Sequence, residues 1–190
     1  MSFRILMLSL VLAVSTDARL GETAIQFADR YGVPKDSKVT RMSDTSHPIL
    51  AGALHHTYEY QGWTIRAAFL QLDGPAVRME FQKRPAASVS STIEDYELQA
   101  IASANLAPGM AWQQTIYTNA NSPHKGLAKI PEAFFADAIG ARMWQRSDGA
   151  ILALKAMRMS VGLELPAARA HEEQLKAARE QKARASVPRF

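Results

Sequence analysis

The side chains of this sequence that could do chemistry are five histidines, a few clustered carboxylates and one S-x-x-K tetrapeptide. Metal binding or acid–base work would draw on Asp44, His47, His55 and His56. His55 and His56 are adjacent within a predicted strand, so their side chains point to opposite faces and cannot readily chelate one ion. Asp44, His47 and one of that pair could converge through a loop, but the tight spacing of H-E-x-x-H does not occur. His124 falls in a predicted loop and His171 on a predicted surface helix, both expected to be solvated.

The tetrapeptide Ser122 to Lys125 (SPHK) has the S-x-x-K spacing in which a helix carries a lysine over a nucleophilic serine. Here Pro123 and Gly126 read as a turn, and the supporting S-D-N and K-T-G are missing. No G-x-S-x-G elbow and no phosphate-cradling G-x-x-x-x-G-K or G-x-G-x-x-G occurs. Glu94, Asp95 and Glu97 form the densest carboxylate cluster, the raw material of glycosidase chemistry. They also occupy the first turn of a predicted helix, where the dipole favours acids regardless of function. No metal and no cofactor is expected.

Aromatic residues are the stronger functional lead. Tyr58, Tyr60, Trp63 and Phe69 cluster in one stretch, and Trp112, Tyr117 and Trp144 lie in the second half. Tyr58 and Tyr60 are two apart and share one strand face. Facing inward, these rings are core beneath a helix. Facing outward, Tyr58, Tyr60, Trp63, Trp112 and Trp144 make the Tyr/Trp surface that anchors protein contacts.

The elements that position these residues are legible in the pattern. In "RLGETAIQFADRYGVPK", Thr23 can cap a helix in which Ala24, Phe27, Ala28 and Tyr31 form one apolar stripe; Gly32 and Pro34 stop it. Residues 36–52 read as a polar link with little strand character. "LHHTYEY", "WTIRAAFL" and "AVRMEFQK" follow, separated by turn-forming "QG" and "QLDGP". In the third, Val77, Met79 and Phe81 alternate with Arg78, Glu80 and Gln82, one face buried and one wet. Together they predict a three-stranded antiparallel meander.

After the linker "KRPAASVS" the order begins again. Ser91 and Glu94 have capping-box spacing, and Ile93, Glu97, Ala100, Ile101 and Ala104 line one face of a helix. A long irregular stretch follows, with a short helix near Glu132 to Ala138, and then strands in "ARMWQR", "AILALKAM" and "RMSVGLEL". The halves share little sequence identity, so any repeat is one of structure. Pro166 opens a helix rich in Ala, Glu, Lys and Arg, with Leu175 its single large apolar residue. A helix polar all round should project or fray.

Composition sets the outer limits. At 190 residues and 47% apolar content, the chain has material for one domain or two small ones sharing a core. It has no cysteine, which removes disulfides, thiolate chemistry and lipidation through sulfur. Arg4, the apolar run Ile5 to Val14 and the small residue Ala18 have the layout of an export signal cut after Ala18. Of the net charge of +4, +3 belongs to residues 167–190, with six basic and three acidic side chains. The remaining chain shows no basic stripe with interleaved aromatics, so no nucleic-acid partner is expected. After removal of the signal no segment is long and apolar enough to span a bilayer, and the tail lacks the apolar residues of a membrane-surface helix.

Gly21, Thr23, Gln26, Phe27, Gly32 and Pro34 resemble the Gly-x-Thr-x-x-Gln-apolar … Gly-x-Pro signature of SmpA/BamE-like proteins, whose superfamily includes the β-lactamase-inhibitor-protein fold. The resemblance covers about residues 20–83. It implies helices packed on one face of an antiparallel sheet, protein–protein contact in the bacterial envelope, and no catalytic residues. Lipid attachment, typical of that group, has no cysteine here. The whole chain also resembles small exported bacterial proteins without assigned function, which share the helix opening and a late W-x-R-S-D-G turn, here Trp144 to Gly149.

The expectation is therefore an α+β protein with short helices on antiparallel β-meanders. It has an export signal (1–18), a helix plus three-stranded meander (19–84), a second helix-plus-strands unit (85–165) and a charged helical tail (166–190). The expected role is a non-catalytic interaction module, periplasmic or secreted, whose partner is an envelope or extracellular protein. The alternative is a small hydrolase of the same compartment, with Asp44, His47, His56 and His124 as its polar groups.

Overall fold

The computed structural model describes residues 19–41, 50–84, 91–106, 108–115, 142–155 and 158–186. The predicted export signal, the helix near Glu132 to Ala138, and Asp44, His47, Tyr117 and Ser122 to Lys125 lie outside the described residues. Among the described residues are three helices and an antiparallel eight-stranded sheet, an α+β architecture. The helices are α1 (Ala24–Tyr31), α2 (Asp95–Ala104) and α3 (Pro166–Ala185). The strands are β1 (Asp36–Val39), β2 (Leu54–Tyr60), β3 (Trp63–Phe69), β4 (Ala76–Lys83), β5 (Trp112–Thr115), β6 (Arg142–Arg146), β7 (Ile151–Lys155) and β8 (Ser160–Glu164).

Their order across the sheet is β1-β2-β3-β4-β8-β7-β6-β5. Read inward from either edge, a helix is followed by four strands in chain order, and the last strands of the two runs pair at the centre. The seam is the antiparallel ladder from Arg78↔Glu164 to Gln82↔Ser160. Two strands come from segments expected to be irregular: Asp36–Val39 pairs with β2 as an edge, and Trp112–Thr115 pairs with β6. Both are short, which is why alternation alone misses them.

Local ends follow side-chain chemistry. The Thr23 hydroxyl accepts from the Gln26 amide, and Gln26 reaches back to the Thr23 amide, so the capping box is closed. Gly32 ends α1 with φ of +81°, a conformation costly for residues with a Cβ. The second helix begins later than its sequence pattern indicates. Glu94, not Ser91, is the cap, and Glu97 accepts from the Glu94 amide at 2.8 Å.

One sheet face carries the main core. Phe27 of α1 and Leu98 of α2 pack on Tyr58, Ile65, Phe69, Met79, Phe81, Leu152, Val161 and Leu163. On the opposite face Ala168 of α3 packs with Leu50, Ala53, Ala68 and Val77. An irregularity between Ala68 and Phe69 breaks the simple alternation of β4. Val77 therefore lies with the α3 cluster, away from Met79 and Phe81. Arg78, expected on the wet face, is buried.

The reason is a charge network. Arg78 Nε and Nη2 donate to Glu164 Oε2 at 3.1 and 2.8 Å, and Nη1 donates to Glu172 Oε1 at 2.7 Å. Arg169 Nη1 donates to Glu164 Oε1 at 3.1 Å, and its Nη2 to the Gly149 carbonyl at 2.8 Å. Glu164 is fully buried, and both its oxygens are engaged. Two of the four charges sit on α3, which corrects the expectation of a wholly projecting tail. The first turns are docked, and residues 176–186 alone are exposed on all sides, about 15 Å of helix at 1.5 Å per residue. His171, expected in solvent, donates from Nε2 to the Ala51 carbonyl at 2.8 Å.

The 50–53 turn is also held from the sheet. His55 Nε2–H donates to the Leu50 carbonyl at 2.6 Å, and Thr40 Oγ1 donates to the Leu50 and Ala53 carbonyls. Burial lowers the pKa of His55, and burial lowers that of His56. His55 and His56 therefore take up protons more readily in the unfolded chain than in the fold. Their stabilisation is present above the unfolded value of about 6.5 and lost as pH falls through the lower folded value. Urea denaturation between about pH 7.5 and 5 is expected to show stability falling with acid, and His55→Gln to flatten part of that slope. Arg78→Ala, which leaves buried Glu164 with Arg169 alone and takes the arginine partner from Glu172, should cost about 3–5 kcal/mol in the same assay. Replacing Arg78 and Glu164 together by Met and Leu should recover much of that loss.

Candidate functional site

The β2–β3 hairpin sets the site's geometry. Its two-residue turn places Gln61 and Gly62 both at positive φ, +45° and +83°, the arrangement whose twist matches a tight hairpin. The cost of a left-handed Gln61 is borne at this turn, where its Nε2 donates to the Tyr60 hydroxyl at 3.1 Å. The turn makes Tyr60 and Trp63 direct cross-strand partners on the helix-covered face, at the end of the sheet where α1 stops.

From there a line of contacts runs along that end. Tyr31, in the last turn of α1, meets Tyr60 edge-on with centroids 5.2 Å apart. Trp63 pairs with Lys83, whose Nζ lies 6.0 Å from the indole centroid. Lys83 Nζ also donates to the Thr92 carbonyl at 3.0 Å and pairs with Glu97 at 2.8 Å, tying β4 to the start of α2. Ile93 N donates to the Arg158 carbonyl, and Arg158 returns bonds from Nε to the Ile93 carbonyl and from Nη2 to Asp95 Oδ1 at 2.7 Å. Exposed apolar side chains flank these points in the chain: Val33 (90%) just after α1, Tyr60 (37%) at the hairpin, Tyr96 (71%) in the first turn of α2 and Met159 (40%) beside Arg158. The cations are matched by acids, so the rim presents aromatic and apolar surface more than net charge. On the other sheet face at this end Glu59 pairs with Lys35 and with Arg84, and its hydrogen bond from Lys35 lowers its pKa.

The five aromatic residues singled out by the sequence separate. Tyr58 is fully buried under α1, its ring between Phe27 and Tyr31 at centroid distances of 5.8 and 5.6 Å. Its hydroxyl lies 3.0 Å from His56 Nδ1, and burial pushes its pKa up to about 12. A partner cannot reach that ring in this arrangement. Tyr60 and Trp63 join the rim. Trp112 and Trp144 pack against the core in the far half of the sheet. Tyr96 and Met159 were not singled out, because their exposure follows from where α2 and the β7–β8 connection end.

The W-x-R-S-D-G turn is architectural. Arg146 forms a two-point pair with Asp148 at 2.9 and 2.7 Å and donates to the Asn105 carbonyl at the end of α2. This pair lowers the pKa of Asp148. The Arg146 guanidinium lies 5.3 Å from the Trp112 ring, and the indole N–H donates to the Ala102 carbonyl at 2.8 Å. Gly149 has a positive φ, and a Cβ there would come within 3.1 Å of Pro166. The motif therefore packs the turn against α3 and holds the end of α2.

Among the described residues no group of three or more His, Cys, Asp or Glu side chains could hold a metal ion, and no helix is long and apolar enough to cross a membrane. Glu94, Asp95 and Glu97 are spent on capping and ion pairs. Compared with known proteins, the chain matches no family model, no curated protein and no solved structure.

Core and rim should separate in stability. Tyr58→Ala is expected to cost about 3–5 kcal/mol by cavity formation, and Tyr60→Ser about 1 kcal/mol through lost ring contact. Tyr96→Ser should stay within about 0.5 kcal/mol. Chemical denaturation of the three variants checks the order.

Proposed function

We propose that this protein is a non-catalytic interaction module exported to the bacterial envelope or beyond, and that it engages a protein partner through the rim from Tyr31 to Met159. The observation that carries this reading is the Tyr60–Trp63–Lys83 arrangement. A tight turn, a cation–π contact and an ion pair hold partly exposed aromatic rings in fixed positions. Rings fixed before binding lose little rotamer entropy on contact, which is why Tyr and Trp dominate binding hot spots. Because the rim's charges are mutually paired, the partner surface is apolar or aromatic at its centre. The likeness of the α1 segment to SmpA/BamE-like proteins supports a partner in the envelope, and the export-signal layout of residues 1–18 supports the compartment.

The test uses a photo-crosslinking residue at Tyr60 or Tyr96, with Leu72 at the opposite end of the sheet as control, in protein produced in the source cells. One discrete adduct at both rim positions and none at Leu72 is expected. Unlabelled wild-type protein should compete for it, and the Tyr60→Ser/Tyr96→Ser variant should compete at least about tenfold more weakly. Equal labelling at all three positions, or equal competition by the variant, would refute the rim as a binding surface.

A further inference from the structure

We infer that Glu22 is the receptor for the protein's own processed N terminus, the α-ammonium of Arg19, and that processing thereby completes the fold. The inference rests on the export reading for the origin of that terminus.

The chain is already fixed at the residue after Arg19. Leu20 is buried in the main core, and its amide donates to Asn105 Oδ1 at 2.7 Å. Gly21 N donates to the Ala76 carbonyl at 3.0 Å, Ala76 N returns to the Glu22 carbonyl at 2.7 Å, and Thr23 bridges Pro75. This short ladder aims Arg19 N at the Glu22 carboxylate, with Oε2 at 3.2 Å. The other oxygen, Oε1, accepts from Arg30 Nη2 at 2.9 Å, which orients the carboxylate from α1. The Glu22 and Arg30 side chains are 14% and 16% exposed, so the carboxylate is substantially shielded.

Cleavage after Ala18 changes what stands at that position. Water adds across the Ala18–Arg19 peptide bond, catalysed by a signal-peptide endopeptidase. Ala18 leaves as a carboxylate, and Arg19 N becomes a primary amine that takes up a proton. A single amide N–H is replaced by three N–H donors and a positive charge, facing an oxygen within ion-pair distance. A charged donor strengthens a hydrogen bond to a carboxylate roughly twofold. The contact ties the start of the chain to α1. Through Leu20 and Asn105 it also ties the start to the end of α2, so the stabilisation bears on both runs of the sheet.

Two measurements test this. The intact mass of protein recovered after export is expected to correspond to a chain beginning at Arg19; any other start overturns the inference. Separately, chains prepared to begin at Arg19 are compared with a free or a selectively acetylated α-amine, in wild type and in Glu22→Gln, near pH 6.5, where a free α-amine is protonated. Acetylation keeps one N–H and removes the charge. It is expected to lower the wild-type Tm by roughly 1–3 °C, the size of a partly shielded ion pair in a domain of this length, and to leave the Tm of Glu22→Gln unchanged. An equal shift in both backgrounds, or none in the wild type, overturns the inference even if the mass confirms export at Arg19.

Discussion

The buried pair of Arg78 and Glu164 is the constraint on which the rest of the structure depends. A charge removed from water is costly unless a partner and further hydrogen bonds replace the lost solvent. Here each member is satisfied from more than one direction: Arg78 by Glu164 and Glu172, and Glu164 by Arg78 and Arg169. The two residues are register partners where β4 meets β8. A slip of one residue along that ladder would take Arg78 out of register with Glu164 and break their pair across the seam, so the pair favours this register. Because Arg169 and Glu172 come from α3, the same requirement docks the first turns of a helix that has almost nothing apolar to bury.

A second network performs the corresponding task on the helix-covered face. Arg146 holds the end of α2 by the Asn105 carbonyl, and Asn105 holds Leu20 by its side chain. The start of one helix-and-strands run is thereby joined to the helix of the other. With the seam and this junction in place, α1 and α2 lie over the same apolar face, and their ends define what remains uncovered. The rim is that remainder. Tyr58 lies beneath α1 while Tyr60, two residues on, lies where the helix has stopped. Function, on the reading proposed here, begins where coverage ends.

Much of the local structure was legible in the residues. Thr23, Gln26 and Gly32 mark the limits of α1 because capping bonds join near neighbours in the chain. The bounds of β2 and β4 follow from turn residues and alternation, and the Gln61–Gly62 turn from its short length between apolar runs. Less was legible in the site. Tyr60 and Trp63 could be singled out as aromatic, but the same pattern applied to Tyr58, which the fold buries under α1, and to Trp112 and Trp144, which it packs half-buried against the core in the far half of the sheet. β1 and β5 are too short for periodicity to reveal. The displacement of Val77 comes from an irregularity that alternation does not encode, and the burial of Arg78 from charges on β8 and α3 far along the chain.

What the sequence determined by itself was most of the elements: the limits of α1, the start of α3, the turn between β2 and β3, and the antiparallel α+β class. These depend on interactions between residues a few positions apart. The tertiary structure alone decided which strands meet at the centre, which charges go inside, and which aromatic rings face out. Arg78 and Glu164 are 86 residues apart in sequence. Nothing local to either announces the other, because the free energy of placing a charge, or a tyrosine ring, depends on what the distant chain brings to its side.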